Sequence, residues 1–334
     1  MTDWFHGETT MGPDATLAMN EMADNAERID VVAQLDAATR AAVADQLECG
    51  VDIPTDGEMR RENYLHYHCR HLHGIDFTRL TDRLLRNGSW SGKVPTFVGP
   101  IYPRDHFLHR DHEIASAGVE APIKITVPGP ITLMDSTADA HYGDDRAWGE
   151  ALAAAINDEV LHLTGGGCTQ IQIDEPAFAR YPDRALDFGF DLLERCLFGV
   201  PEGVTTTLHM CCGYPDRLDN EDYPKADPSA YLTLAPHVDT APIDIVSIED
   251  AHRPNDLDLF RRFERVSVAV GTVAIARSTV ESPEAIAARL GEVADILGTE
   301  RLVAAPDCGL GLLDRRTAMA KLRAIRAGAD CLGS

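Results

Sequence analysis

The chain has 334 residues, 44% hydrophobic and 25% charged, which is enough apolar content for a sizeable core and a length that suits one α/β barrel with insertions. Its 30 basic against 54 acidic side chains leave a formal charge of −24, which repels phosphate backbones and anionic headgroups and argues against nucleic-acid and membrane-surface partners. There is no charged-then-apolar leader and no apolar run near the ~18 residues of a membrane span, so the expected location is the cytoplasm.

Residues 1–28 hold one short strand-like piece, in FHGETTMGP, and then a polar, Met-bearing segment. Over 29–49 apolar residues recur at helical spacing until Gly50 supplies a stop. VDIPTDGEMRREN reads as a short strand running into a loop with Asp56 and Glu58. Residues 75–120, rich in Gly, Pro, Arg and His and without sustained periodicity, read as an inserted loop or hairpin with a mobile tip. A regular beat follows. PIKITVPGP is a strand and turn, 148–163 a helix stopped by glycines, TQIQIDEPAF a strand ending in Asp174 and Glu175, and 185–198 a helix. Then come TTTLHMCC, a polar loop over 213–226, a short helix near 228–235, IDIVSIE, a helix around 257–263, VSVAVG, a helix over 283–297, LVAAPDCGL and a helix over 315–327. Strands alternating with helices to a count of eight favour a (β/α)8 TIM barrel, one α/β domain over 1–334 with the 75–120 insertion after its second strand. The alternative is a doubly wound open sheet.

Side chains at i and i+2 of a strand point the same way, so His209 and Cys211 project together from the end of TTTLHMCC. A ring nitrogen and a thiolate there make half of a zinc site. Strand-end candidates for the other half are Glu249, closing IDIVSIE, and Cys308, in LVAAPDCGL. A lone His or Cys is more often an inert buried residue, so the signal lies in the constellation. Cys212 faces the other way and reads as packing. The cysteines at 49, 69, 168, 196 and 331 lack the spacing of a disulfide scaffold and are expected as free thiols. A barrel builds its active site at the carboxyl ends of its strands, where Glu58, Asp174, Glu175, His209, Cys211, Glu249 and Cys308 all fall; helix capping accounts for one or two of the acids. The histidines at 66, 68, 71 and 73 read as the polar surface of a helix near that site.

DGEMRREN, IQIDEPAF, LHMC, VSIE and PDCGL, in that order, resemble the catalytic barrel of the cobalamin-independent methionine synthases and of their single-barrel relatives that move alkyl groups onto thiols. Full-length synthases have a second, N-terminal barrel that 334 residues cannot hold, so the resemblance implies a core-only member. Carried over residue by residue, it implies Zn2+ held by His209, Cys211, Glu249 and Cys308, with Glu58 and Asp174 as the acids that bind the amino group of homocysteine. Three positions depart from the family. The synthases stack the pterin of methyltetrahydrofolate on a Trp shortly after the GPxT turn, whereas GPITLMDST offers Asp135 and Ser136. After the seventh strand they carry a His, whereas VAIARSTVESPE offers Arg277, as in the short relatives that include the epoxyalkane:coenzyme M transferases. Their homocysteine-holding Ser after the first strand has no clear counterpart near Gly12.

The expected activity is that of a zinc-dependent S-methyltransferase or S-alkyltransferase acting on a small-molecule thiol acceptor and alkyl donor, with a corrinoid protein among the candidate donors. Coordination removes the proton of a thiol whose free pKa is near ~8.5. Glu249 is the hardest ligand of the set and the one a thiol would displace. Arg277 reads either as a fork for a substrate carboxylate or sulfonate or as a partner of loop acids. The alternatives are thiol addition to an epoxide and a zinc-free barrel of the uroporphyrinogen decarboxylase type.

Overall fold

Parallel strands and covering helices alternate in the computed structural model, which describes residues 15–26, 28–85, 88, 90–214, 217–220 and 223–332. Helices α1 (Ala15–Ala26), α2 (Ile29–Glu48) and α3 (His66–Arg70) precede an antiparallel hairpin of β1 (Ile75–Leu85) and β2 (Trp90–Phe97). After α4 (Leu108–Ser116) come β3 (Lys124–Pro128), α5 (Pro130–Ser136), β4 (Ala138–Asp139), α6 (Asp145–Gly165), β5 (Gln170–Asp174), α7 (Pro176–Arg180) and α8 (Phe190–Leu197). The chain continues through β6 (Thr205–Met210), α9 (Ala230–Thr240), β7 (Ile245–Ile248), α10 (Leu257–Phe260), β8 (Ser267–Gly271), α11 (Pro283–Leu297), β9 (Leu302–Ala305) and α12 (Arg315–Asp330).

Strands β3, β5, β6, β7, β8 and β9 form one parallel sheet in that order, and Thr55 extends it by a parallel bridge to Lys124. The order never reverses. A doubly wound sheet has a switch point where it must, so the architecture is the (β/α)8 barrel. The strand-like piece of FHGETTMGP lies outside the described residues, as does most of the hairpin tip. No helix among the described residues is long and apolar enough to cross a membrane.

The two faces of the sheet differ in chemistry. Ile125, Ile171, Leu208, Val246, Val268 and Val270 are fully buried in a core shared with Leu152, Val160, Leu193 and Leu290 of the helices. Alternate positions carry polar groups: Lys124 donates to Gln172 at 2.7 Å, Asp174 stands in register with His209, and His209 with Ser247. Barrel interiors are usually filled by branched aliphatic side chains. Here the interior near the carboxyl ends is polar instead.

Local chemistry sets the helix starts. Asp144, Ser282 and Asp314 accept from the backbone N–H three residues on and cap α6, α11 and α12. The hairpin is fixed to the carboxyl side of the sheet, because β2 pairs with β4 just after α5 and Arg83 of β1 donates to the carbonyls of Met134 and Thr137. Two details differ from expectation on local grounds. Within 75–120 the hairpin is followed by α4, too short for its apolar pattern to stand out, and the helix expected over 185–198 opens with a π-turn at Ala185–Gly189 before α8. The histidines near 70 are not a polar helix surface. His66 and His68 are buried with burial holding both rings neutral, while His71 stacks on Phe107 and His73 on Tyr102.

Candidate metal centre

At the end of β6, His209 in the strand and Cys211 just past it stay together, and the loop after β9 brings Cys308 to them. One ligand atom from each of the three lies within 4.8 Å of the others. His209 Nδ1 is 3.0 Å from Ser247 Oγ on β7, whereas Nε2 is buried without a hydrogen-bond partner. Leaving such an atom unpaired costs about 1–3 kcal/mol, and a ring nitrogen beside two cysteine sulfurs fits a zinc ion, whose binding would take the protons off all three. The Cys308 thiol and the His209 ring hold the Cys211 thiol well below its usual range in spite of burial. Burial opposes protonation of His209, but the Cys211 sulfur raises it, and Cys211 together with burial keeps the proton on Cys308.

Glu249 follows β7 and stands beside these three without joining their group. Its Oε2 accepts the Cys212 N–H at 3.1 Å and its Oε1 lies 3.3 Å from Lys225 Nζ. It belongs instead to a second buried cluster with His252 and Asp307. That cluster is structural. His252 Nδ1 is 2.7 Å from Asp307, its Nε2 accepts the Ala276 N–H at 3.0 Å, and Asp307 also receives the N–H groups of Asp250, Ala251 and His252. Both ring nitrogens are spoken for, so His252 has no lone pair to offer a metal. Asp307 comes this close to β8 because residue 271 is glycine: a Cβ there would sit 2.1 Å from Asp307 Oδ1. Cys212 is buried with its sulfur 3.1 Å from Arg253, outside the group formed by His209, Cys211 and Cys308.

Glu58 and Asp174 lie near enough for the charge of one to act on the other. Glu58 has φ +53°, a left-handed backbone that costs a non-glycine residue roughly 1–3 kcal/mol, and the Asp56 side chain accepts its N–H at 3.1 Å. Its carboxylate accepts from Thr126 Oγ1 at 2.6 Å and from the buried Arg61 at 3.0 Å. Asp174 accepts from Gln172 at 2.7 Å. Burial pushes the Asp174 carboxyl up to about 6, with His209 opposing and the Glu58 charge adding to the rise. Glu175, its neighbour, is engaged elsewhere. It accepts from the N–H groups of Ile131 and Thr132 and from Thr132 Oγ1, capping α5, and burial pushes it up to about 8.

Arg277 lies half-buried in the loop after β8, between Ala276, which donates to His252, and Ser278, which donates to Asp219. Asp135, at the end of α5, is held by Arg180 at 3.0 Å and by the Tyr181 hydroxyl at 2.7 Å. The neighbourhood of Gly12 lies outside the described residues.

Sequence reasoning passed over Ser247, Lys225, Arg61 and Thr126. Ser247 had a usable signal: it precedes Glu249 by two, the same one-face spacing that singled out His209 and Cys211. Lys225 had none, because its position depends on how the 213–226 loop folds back, with the Ala226 N–H on the Cys212 carbonyl at 2.8 Å.

A family model described as "Cobalamin-independent synthase, Catalytic domain" matches residues 9–330. The chain is 29% identical over 286 residues to a methionine synthase of Sulfolobus acidocaldarius, covering 84% of this chain and 76% of that one. It is 29% identical over 286 residues to one of Thermococcus kodakarensis, covering 85% and 79%. Among solved structures it is similar to a B12-independent methionine synthase from Shewanella sp. W3-18-1 in complex with selenomethionine, with TM-score 0.85, 28% identity, and 92% of this chain and 90% of that one covered. A corrinoid donor gains no support, since the matching family is the cobalamin-independent one. The chain is thus a transferase that belongs to the family of cobalamin-independent synthase catalytic domains.

Proposed function

We propose that this protein is a zinc-dependent S-methyltransferase for an amino-acid thiol of the homocysteine type. The observation that carries the reading is the convergence of His209, Cys211 and Cys308 within 4.8 Å, with His209 Nε2 buried and unpaired among them. His209, Cys211 and Cys308 would hold the ion, with Glu249 next to them as the exchangeable fourth ligand. A zinc ion there supplies a substrate thiolate at neutral pH.

The protein's own groups do the rest. Ser247 fixes the His209 ring, and two cysteine sulfurs keep the site electron-rich. Glu58 and Asp174 form an anionic pair for an ammonium group, with Arg61 and Thr126 holding Glu58 in place. An arriving ammonium would draw Asp174 back toward its ionised form, since Asp174 is raised by burial and by its like-charged neighbour. The barrel contributes by fixing acceptor and donor at one strand-end site. The selenomethionine found with the Shewanella relative is a methylated chalcogen amino acid, the kind of product this reading calls for.

The deciding experiment is a panel of homocysteine, coenzyme M and glutathione against methyltetrahydrofolate, methylcobalamin and epoxides. Turnover with homocysteine alone among the thiols is expected. Turnover with coenzyme M and an epoxide, lost in Arg277→Ala, would replace this reading with the epoxide-opening one.

A further inference from the structure

Glu249 occupies a built seat next to the three metal-binding candidates. Lys225 Nζ stands 3.3 Å from one carboxylate oxygen and the Cys212 N–H donates to the other at 3.1 Å, on a side chain only 3% exposed. The ammonium also stands 4.8 Å from the centre of the Tyr223 ring, which braces it by cation–π attraction. The loop that carries it is tied down at both ends: the Tyr214 hydroxyl donates to the Gly309 carbonyl at 3.1 Å, and the Ala226 N–H to that of Cys212 at 2.8 Å. Lys225 is thus held by Glu249 and the Tyr223 ring on a loop anchored at both ends, unlike a flexible surface lysine.

We propose that Lys225 and the Cys212 N–H form an off-metal seat for the Glu249 carboxylate, so that Lys225 weakens the hold of Glu249 on the ion and eases its replacement by the substrate thiol. The proposal rests on the zinc reading above. An ammonium paired with a carboxylate competes directly with the ion for its oxygens, and the competition ends when the ammonium is removed. Lys225 is a positioning residue in this scheme, acting only through Glu249. The opposite role is that of a partner orienting Glu249 onto the ion, and removing such a partner typically weakens metal binding by about 10- to 100-fold.

The two roles predict opposite signs. Zinc affinity would be measured by competition with a chromophoric chelator in the wild type, Lys225→Met, Lys225→Arg, Glu249→Gln and the Met/Gln double variant. Each would be checked by thermal melting, and homocysteine would be titrated into the cobalt-substituted forms by absorption. Lys225→Met should bind zinc on the order of tenfold more tightly, or about 1.4 kcal/mol. It should also need about tenfold more homocysteine for half-conversion of the cobalt spectrum. Lys225→Arg should stay near wild type, and the double variant should match Glu249→Gln alone. Unchanged or weakened zinc binding in Lys225→Met would overturn the seat. So would a tightening that persists beside Glu249→Gln, which would be plain charge repulsion. A wild-type protein that binds no zinc would fail the metal reading itself and take the seat with it.

Discussion

Replacing Ser247 with Ala removes one hydroxyl from a pair in which both residues are 7% exposed and the Oγ···Nδ1 distance is 3.0 Å. With a metal on Nε2, Nδ1 must carry the ring proton and Ser247 must accept it. Without that acceptor the metal-bound tautomer leaves a buried N–H unpaired, at a cost of about 1–3 kcal/mol. The metal-free protein is under no such constraint, because its ring proton is free to sit on either nitrogen. The loss therefore falls on metal binding, and zinc affinity should drop by about 10- to 100-fold, equivalent to ~1.4–2.8 kcal/mol. Chelator competition at neutral pH measures it, and nitrogen NMR of the imidazole reports the tautomer. Ser247→Thr restores a hydroxyl and should recover most of the affinity. Wild-type affinity in Ser247→Ala, or no recovery in Ser247→Thr, would mean that Ser247 does not hold the metal-bound tautomer of His209.

Other consequences are as direct. Glu58→Gln should raise the KM for homocysteine by about 10- to 100-fold with zinc still bound, because a charge-assisted bond to an ammonium is worth roughly 1.5–3 kcal/mol; an unchanged KM would remove Glu58 from the acceptor pocket. Burial, with Arg70 adding to it, lowers His66 from 6.5 to about 4, so the unfolded chain takes up the proton first as pH falls. The stability from keeping His66 neutral is complete above pH 6.5 and lost toward pH 4, ~3 kcal/mol in all, and His66→Gln should flatten that part of a urea-unfolding pH profile. Gly271→Ala places a methyl 2.1 Å from Asp307 Oδ1 and 2.8 Å from its Cα, and should lower the melting temperature through a loss of about 1–3 kcal/mol; an unshifted melt would mean that Asp307 is not held as described. Asp135 is engaged by Arg180 and Tyr181 where the family has its stacking Trp, so calorimetry should find no micromolar methyltetrahydrofolate affinity.

The alternation of strands and helices was readable because elements from residue 124 onward carry their own period and their own start or stop, such as Pro283 after the Ser282 cap that opens α11 or the glycines that end α6. His209 and Cys211 were readable for a related reason: their convergence follows from one strand's pleat. Cys308 needed the further inference that strand ends share one rim. What stayed illegible depends on contacts between distant segments. Glu175 shares a strand end with Asp174, yet it caps α5 because Gly129 leaves room for its carboxylate. The buried state of His66 and His68 depends on packing around a five-residue helix too short to reveal a face. Lys225 reaches Glu249 through a loop whose path no local pattern encodes.

Activity that depends on a zinc ion held by His209, Cys211 and Cys308 is tested by metal analysis of the purified protein, paired with turnover before and after chelation and with the Cys308→Ser variant. One zinc per chain is expected, lost in Cys308→Ser together with activity while helix content by circular dichroism stays near wild type, since the core between strands and helices does not involve that thiol. Full turnover by metal-free protein would contradict that dependence on zinc.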